Sequence, residues 1–184
     1  MNNLEKAYII TYVGRQFFLL KPNIEDINIL DIGHSLAMQC RWTGHTKYHY
    51  SIAQHSWYCS YIGSEEEALY RLLHDASEAY LGDMNRPLKH FTEAGDAYRE
   101  VEKPLQSMIY KKFGLEETEP ESVKIADNMM LYAEKAQLLN TKCPEAEIWL
   151  PGEISADVCI HKWLPEQAEE KFLQRFYELY TKEK

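Results

Sequence analysis

One stretch constrains this chain more than any other: Arg71-Leu72-Leu73-His74-Asp75-Ala76-Ser77-Glu78. An apolar helical run ends there in an imidazole beside a carboxylate, and a second carboxylate follows one turn later. Two polar groups buried at the end of a hydrophobic helix destabilise a fold unless they find partners. A divalent metal would satisfy both. On a continuous helix His74 and Asp75 point about 100° apart, so both can face one cavity. Glu78, three residues past Asp75 and four past His74, shares their face. The fold must therefore bring further ligands to this point from elsewhere in the chain.

The 184 residues suffice for one domain with a real core, and the chain is read as a single domain over 1–184. A hydrophobic fraction of 45% is that of a globular protein. The formal net charge of −9 argues against nucleic acid as a large surface partner, because a phosphate backbone calls for a basic face. A small phosphorylated ligand is still compatible, held by a few local cations. The N-terminal Met1-Asn2-Asn3-Leu4-Glu5-Lys6 carries no signal-peptide pattern, and no stretch is long and apolar enough to span a bilayer. The expected location is the cytoplasm, with no membrane partner. Cys40, Cys59, Cys143 and Cys159 form no CxxC pair and read as small buried hydrophobes.

Hydrophobic periodicity predicts a mainly α-helical chain with a small N-terminal β element. Residues 7–20 read as a hairpin, with Tyr8–Val13 and Gln16–Leu20 flanking a Gly14-Arg15 turn. Helices are expected over Asp31–Gln39, with Ile32, Leu36 and Met38 as apolar positions, and from Ser51 to about Ile62. The next is opened by Ser64 as N-cap, with Glu65 to Glu67 in its first turn, and ends in His74-Asp75. Further helices are expected over Glu93–Phe113 with a break near Pro104, over Pro120–Leu139 and over Pro165–Thr181. Residues 40–50, 82–87 and 141–162 read as irregular. Phe172, Phe176, Tyr177 and Tyr180 recur at helical spacing and suit a core or an interface.

Two residues can complete the ligand set. His55 lies mid-helix in Ser51-Ile52-Ala53-Gln54-His55-Ser56, and Asp127 interrupts the apolar run Val123, Ile125, Ala126, Met129, Met130, Leu131. Two imidazoles and two carboxylates make a mixed nitrogen and oxygen site suited to Co, Mn, Zn, Fe or Ni rather than Ca. A single helical histidine is more often a structural residue, and Asp127 alone would be satisfied by a neighbouring helix. Spacing by itself therefore leaves both readings open.

The ordered set His55 … His74-Asp75 … Asp127 resembles the H…HD…D signature of the HD-domain phosphohydrolases. The segments Ile32–Ala37, Cys40–Thr46, Tyr50–Ser56 and Leu73–Met84 look like the small HD hydrolases of phages and bacteria. These in turn resemble bacterial 5′-deoxynucleotidases and phage dATP triphosphohydrolases. The likeness runs from about Tyr8 to Leu139, and residues 140–184 match nothing usable beyond looking helical. It implies an HD-type helical bundle in which His55, His74, Asp75 and Asp127 hold the metal. It implies that Glu78 and Asp83 position or activate water and assist the leaving group, and that Arg41 and Trp42 hold the phosphate and line the sugar or base pocket. Pro87 would lie against the base. Trp42 departs in part from the pattern, since many phage relatives carry Phe there.

Arg41 is chemically the best phosphate ligand, because its planar fork grips a phosphate bidentately. His45, Lys47, Lys89 and His90 are secondary candidates that matter more for a triphosphate. The bland readings make Lys47 and Lys89 solvated, His34 a packing histidine, and His49, His90 and His161 ordinary. The function that follows is hydrolysis at the 5′ α-phosphate of a deoxyribonucleotide, with dATP favoured and Mg an option alongside the transition metals for a triphosphate. The alternatives are a 5′-deoxynucleotidase on monophosphates and a non-catalytic nucleotide sensor. The retained Glu78 and Asp83 argue against the sensor. The resemblance also implies a homo-oligomer, a dimer or a hexamer.

Overall fold

The structure is a computed structural model that describes residues 6–140 and 154–181. It is mainly helical, with a short antiparallel hairpin at the N-terminal end, as the periodicity predicts. The hairpin pairs β1 (Tyr8–Ile10) with β2 (Gln16–Phe18), in the register Tyr8 opposite Phe18, Ile9 opposite Phe17 and Ile10 opposite Gln16. Its strands are shorter than expected and the connection is Thr11–Arg15 rather than two residues. The Val13 amide donates to the buried Asp31 carboxylate at 2.8 Å, which pulls the loop out of the ladder. Gly14, at φ 79°, turns the chain back.

The helices are α1 (Ile29–Met38), α2 (Ile52–Cys59), α3 (Ala68–Leu73), α4 (Glu78–Leu81), α5 (Arg86–Phe91), α6 (Glu93–Lys112), α7 (Glu121–Leu138) and α8 (Pro165–Tyr180). Helix α8 packs on α1, α2 and α3. Where it crosses α1, a Cβ on Gly33 would sit 2.8 Å from the Leu173 side chain, so glycine permits the close approach. Phe172 and Phe176 of α8 are buried, with Tyr177 half exposed. Ile32 and Leu36 of α1 enter the same core, but Met38 is exposed, because α1 ends there and the chain turns away. A second apolar cluster joins α2 to α7 through Tyr50, Tyr58, Cys59, Ala126, Met130 and Ala133.

Two helices depart from the sequence reading. Helix α6 runs through Pro104 unbroken. Pro104 and Glu100 both face solvent, so the lost backbone bond falls on the wet side while Leu105 and Ile109 stay buried. Conversely, the helix expected to carry His74 and Asp75 stops at Leu73. The Gln106 side chain of α6 takes the Leu73 carbonyl at 2.7 Å and the Ser77 amide at 3.0 Å, the two groups an uninterrupted helix would have joined. The chain tightens there into i→i+3 turns, Ala76 to Leu73 and Glu78 to Asp75, before α4 begins. Ser64 makes no side-chain cap, and the acidic run forms a 3₁₀ turn ahead of α3. Residues 141–153, with Cys143, lie outside the described residues, and 154–164 are irregular as expected. Among the described residues no helix is long and apolar enough to cross a membrane.

Candidate metal centre

The four expected ligands converge from three elements. His55 comes from the middle of α2, His74 and Asp75 from the break after α3, and Asp127 from α7. His55 Nε2 lies 3.3 Å from His74 Nε2 and 3.2 Å from Asp127 Oδ1, and Asp75 Oδ2 lies 3.2 Å from His74 Nε2. Two ligands held at about 2.1 Å from one metal, at tetrahedral to octahedral angles, are themselves about 3.0–3.4 Å apart.

Both imidazoles turn Nε2 to the cluster. His55 Nδ1 lies 2.6 Å from Glu134 Oε1, and His74 Nδ1 lies 2.8 Å from the Arg71 carbonyl. Each oxygen only accepts, so each Nδ1 carries the hydrogen and each Nε2 faces the cluster.

Electrostatics point the same way. Burial opposes charge on His74, yet the adjoining Asp75 carboxylate outweighs it and pushes the pKa up to about 10. Burial and Arg41 oppose charge on His55, and Cys59, Glu134 and Asp127 outweigh them, so it too is raised well above the usual imidazole value. Burial alone would raise the carboxyls, but His74 holds Asp75 low and His55 holds Asp127 low. The carboxylates therefore draw positive charge onto the cluster. This is the electrostatic preference of a cation site.

Cys59 is a ligand candidate that the sequence reading passed over. Its Sγ lies 3.4 Å from His55 Nε2, one turn along α2, and His55, Cys59 and His74 place their ligand atoms within 4.8 Å of one another. This trio can hold a metal ion. The signal was present in the i, i+4 spacing of His55 and Cys59. Cys59 is also the small buried residue expected, 1% exposed within the α2–α7 core.

A cavity of about 400 Å³ adjoins the cluster, lined by Arg41, Trp42, Asp75, Glu78, Asp83 and Asp127 and, towards its mouth, by Met84 to Pro87, Lys89 and His90. Arg41 bridges the carboxylates, with Nη1 3.2 Å from Asp75, Nη2 3.8 Å from Asp127 and Nε 3.3 Å from Glu134. Glu78 is buried, and its Oε2 has no hydrogen-bond partner among the described residues. Burial first, then the Asp75 and Asp83 charges, push its pKa well above the usual carboxylate range. Asp83 is exposed as a residue, yet its carboxyl is shielded enough that burial raises it. Gln39, absent from the sequence reading, fixes both acids. Its amide nitrogen donates to the Glu78 carbonyl at 3.0 Å, and its oxygen accepts from the Asp83 amide at 3.0 Å. Between them Gly82 takes φ 82°, which lets the chain reverse out of α4.

Other candidates fall elsewhere. His45 and Lys47 do not line the cavity. His45 is exposed, and Lys47 donates to the Gln137 carbonyl at the end of α7. Lys89 lines the cavity but is paired with Glu102 at 2.6 Å. His34 stacks on Tyr12 and bonds Glu169, the packing role expected of it. Pro87 lies in the first turn of α5, where Asn85 caps the helix by accepting from the Leu88 amide.

No known family model matches this chain. Over 132 residues it is 39% identical to YfdR of Escherichia coli (strain K12), covering 72% of each protein. Over 157 residues it is 34% identical to RCAP_rcc00048 of Rhodobacter capsulatus, covering 78% of this chain and 79% of that protein. Both relatives are described only as uncharacterized proteins. The chain belongs to the family that contains YfdR and RCAP_rcc00048.

Proposed function

We propose that this protein is a metal-dependent phosphohydrolase that cleaves a deoxyribonucleotide at its 5′ α-phosphate, with dATP as the preferred substrate and deoxyadenosine and tripolyphosphate as products. The observation that carries this reading is the convergence of His55, His74, Asp75 and Asp127 at one end of a cavity that also holds Arg41, Glu78 and Asp83. The resemblance of the ordered residues to HD-domain phosphohydrolases supports it. Two oriented imidazoles, two ionised carboxylates and a nearby thiol suit Mn, Fe, Co, Ni or Zn, with Mg an option when a triphosphate supplies oxygens. The buried Glu78 oxygen, which has no hydrogen-bond partner among the described residues, fits a site completed by a metal-bound or free water.

When bound, the metal polarises a phosphoryl oxygen and lowers the pKa of a bound water. The chain's own residues do the rest. Arg41, kept charged by three carboxylates, stabilises the negative charge that grows on the α-phosphoryl oxygens. Glu78, whose burial favours its protonated form, orients the incoming water or delivers a proton to the departing 5′ oxygen, and Asp83 takes the complementary part. Water adds to phosphorus, the bond from phosphorus to the 5′ oxygen breaks, and the deoxynucleoside leaves as its hydroxyl. Trp42 and Pro87 offer apolar surface to the sugar and base. Arg86 and Lys89, which also line the cavity, offer cationic surface beyond the α-phosphate, which favours a triphosphate, while burial and the neighbouring cations hold His90 towards its neutral form.

A 5′-deoxynucleotidase acting on monophosphates is the second reading. It is favoured by Lys89 being already neutralised by Glu102, which removes one cation from the outer phosphates. Chromatography of products separates the readings, with Co²⁺ or Mn²⁺, a panel of dNMPs, dNTPs and NTPs, and Asp75→Ala as control. Deoxyadenosine from dATP, with dAMP nearly untouched, establishes the triphosphohydrolase. Phosphate from several dNMPs establishes the nucleotidase. No turnover by a metal-loaded protein refutes both and leaves a nucleotide sensor.

A further inference from the structure

The Glu134 carboxylate is fully buried on α7, two helical turns beyond Asp127 and on the same face. Four side chains from other elements donate to it. Oε1 accepts from His55 Nδ1 at 2.6 Å and from the Tyr50 hydroxyl at 2.9 Å, while Oε2 accepts from Trp42 Nε1 at 2.8 Å and from Arg41 Nε at 3.3 Å. One oxygen thus serves the metal end of the site and the other serves the cavity wall.

That wall is held in an unfavourable backbone. Trp42 and Thr43 take φ of 56° and 52°, the left-handed region that bulky and β-branched residues avoid, and Gly44 follows at 79°. Such a conformation persists only where its surroundings over-determine it. The pairing of the Arg41 amide with the Tyr50 carbonyl fixes one end of the turn. The Trp42 indole on Glu134 fixes its side chain.

We propose that Glu134 is a positioning residue that couples metal binding to the shape of the substrate wall, by orienting His55 with one carboxylate oxygen and anchoring the strained Arg41–Gly44 turn with the other. This rests on the metal reading proposed above. It predicts that a metal pulling on His55 Nε2 is felt at the Trp42 indole through a single carboxylate, without any substrate present. A buried carboxylate of purely structural value would hold the core together and transmit nothing.

The test is a Zn²⁺ titration of the full-length protein, followed by the indole N–H signals of ¹⁵N-labelled tryptophan. Trp42→Phe assigns the Trp42 signal. In the wild-type protein that signal is expected to shift in proportion to Zn²⁺ occupancy. Glu134→Gln keeps the volume but makes one end of the side chain a donor, which mismatches His55 Nδ1–H or Trp42 Nε1–H. It is expected to bind Zn²⁺ about 10–100-fold more weakly and to show no Zn²⁺-dependent shift at Trp42. Glu134→Gln with Zn²⁺ affinity within threefold of wild type, or a wild-type Trp42 signal indifferent to Zn²⁺, overturns the proposal. Should Glu134→Gln fail to fold, Tyr50→Phe removes one donor from Oε1. It is expected to change the size of the Trp42 shift, and an unchanged shift overturns the proposal. No turnover is needed for any of these readouts. Inactivity towards deoxynucleotides would therefore refute the proposed reaction while leaving the coupling standing.

Discussion

The floor of the site is the cluster that adjoins the cavity, where His55, His74, Arg41 and Trp42 each donate to a specific protein oxygen, and the acceptors sit on long or well-packed elements. At the mouth, Arg86, Pro87 and His90 ride on the six-residue helix α5, which has no buried residue, and its last member, Phe91, is 84% exposed. The floor's side chains are tied by hydrogen bonds to Glu134 and to the Arg71 carbonyl, whereas α5 at the mouth is held by its cap at Asn85, by the Lys89–Glu102 pair and by close packing of its backbone on Gly95 of α6. Under the proposed function, the groups that need fixed geometry sit on α2, α7 and the break after α3, and the surface offered to the outer part of the substrate sits on exposed side chains of α5.

The largest effect expected from breaking the floor is that of Asp75→Ala or His55→Ala. Each removes a proposed ligand together with the contact behind it, Arg41 on Asp75 or Glu134 on His55, and turnover should fall roughly a thousandfold or more as metal affinity collapses. Activity assays paired with metal analysis check this. Retention of both would mean the cluster is structural. Next is Glu78→Gln, which preserves shape but removes the transferable proton. It is expected to lower kcat by about 10²–10⁴-fold with metal binding intact. Steady-state kinetics alongside a Mn²⁺ titration separate the two.

Gln106→Leu tests how the floor is held. Without the amide that interrupts the helix, the Leu73 carbonyl and Ser77 amide can pair directly, rotating Asp75 away from His74. Metal affinity should drop about tenfold, as for other supports of ligand geometry, with little loss of helicity by circular dichroism. The rim should respond less. Arg86→Ala is expected to raise KM for a triphosphate about threefold to tenfold, the equivalent of one modest ionic contact, and to leave KM for a monophosphate unchanged. Equal effects on both substrates would place Arg86 outside the outer phosphates.

The pH dependence carries a definite sign. In the metal-free protein the pKa of His74 is pushed up to about 10 and that of His55 is raised in the same direction, and a metal requires both neutral. Metal affinity should therefore rise with pH, by up to about tenfold per unit for each proton released. For stability the sign reverses. His74 has a folded pKa raised to about 10, so its contribution is complete below the unfolded value of about 6.5 and is lost as pH climbs through 10. The metal-free protein should melt at lower temperature at pH 9 than at pH 6.5, and metal should flatten the difference.

The helical composition was legible from local periodicity, whereas spacing left His55, His74, Asp75 and Asp127 open as ligands and only the resemblance singled them out together. Apolar periodicity marks α1, α7 and α8, and a carboxylate on an apolar stripe marks Asp127. The break after Leu73 was not legible, since its cause is Gln106, thirty-three residues away on another helix. Gln39 was hidden for the same reason. It acts through its side-chain amide on two backbone groups of a segment distant in sequence. Glu134 was not singled out, although it lies seven residues from Asp127 on the same face, because its four donors come from elements that only the fold assembles. His45 and Lys47 were misplaced because a basic loop gives composition and no direction. The turn at Trp42 and Thr43 points the chain away after Arg41, and Lys47 reaches the end of α7 instead of the cavity.

The most direct test of the central claim is the stoichiometry and ligand dependence of metal binding, read by equilibrium dialysis with Mn²⁺ and electron paramagnetic resonance. The expected result is one Mn²⁺ per chain in the wild-type protein, lost in His55→Ala, His74→Ala, Asp75→Ala and Asp127→Ala alike. Wild-type protein that binds no Mn²⁺, Co²⁺ or Zn²⁺, or binding indifferent to all four substitutions, would contradict the claim and reduce the cluster to a buried ionic network.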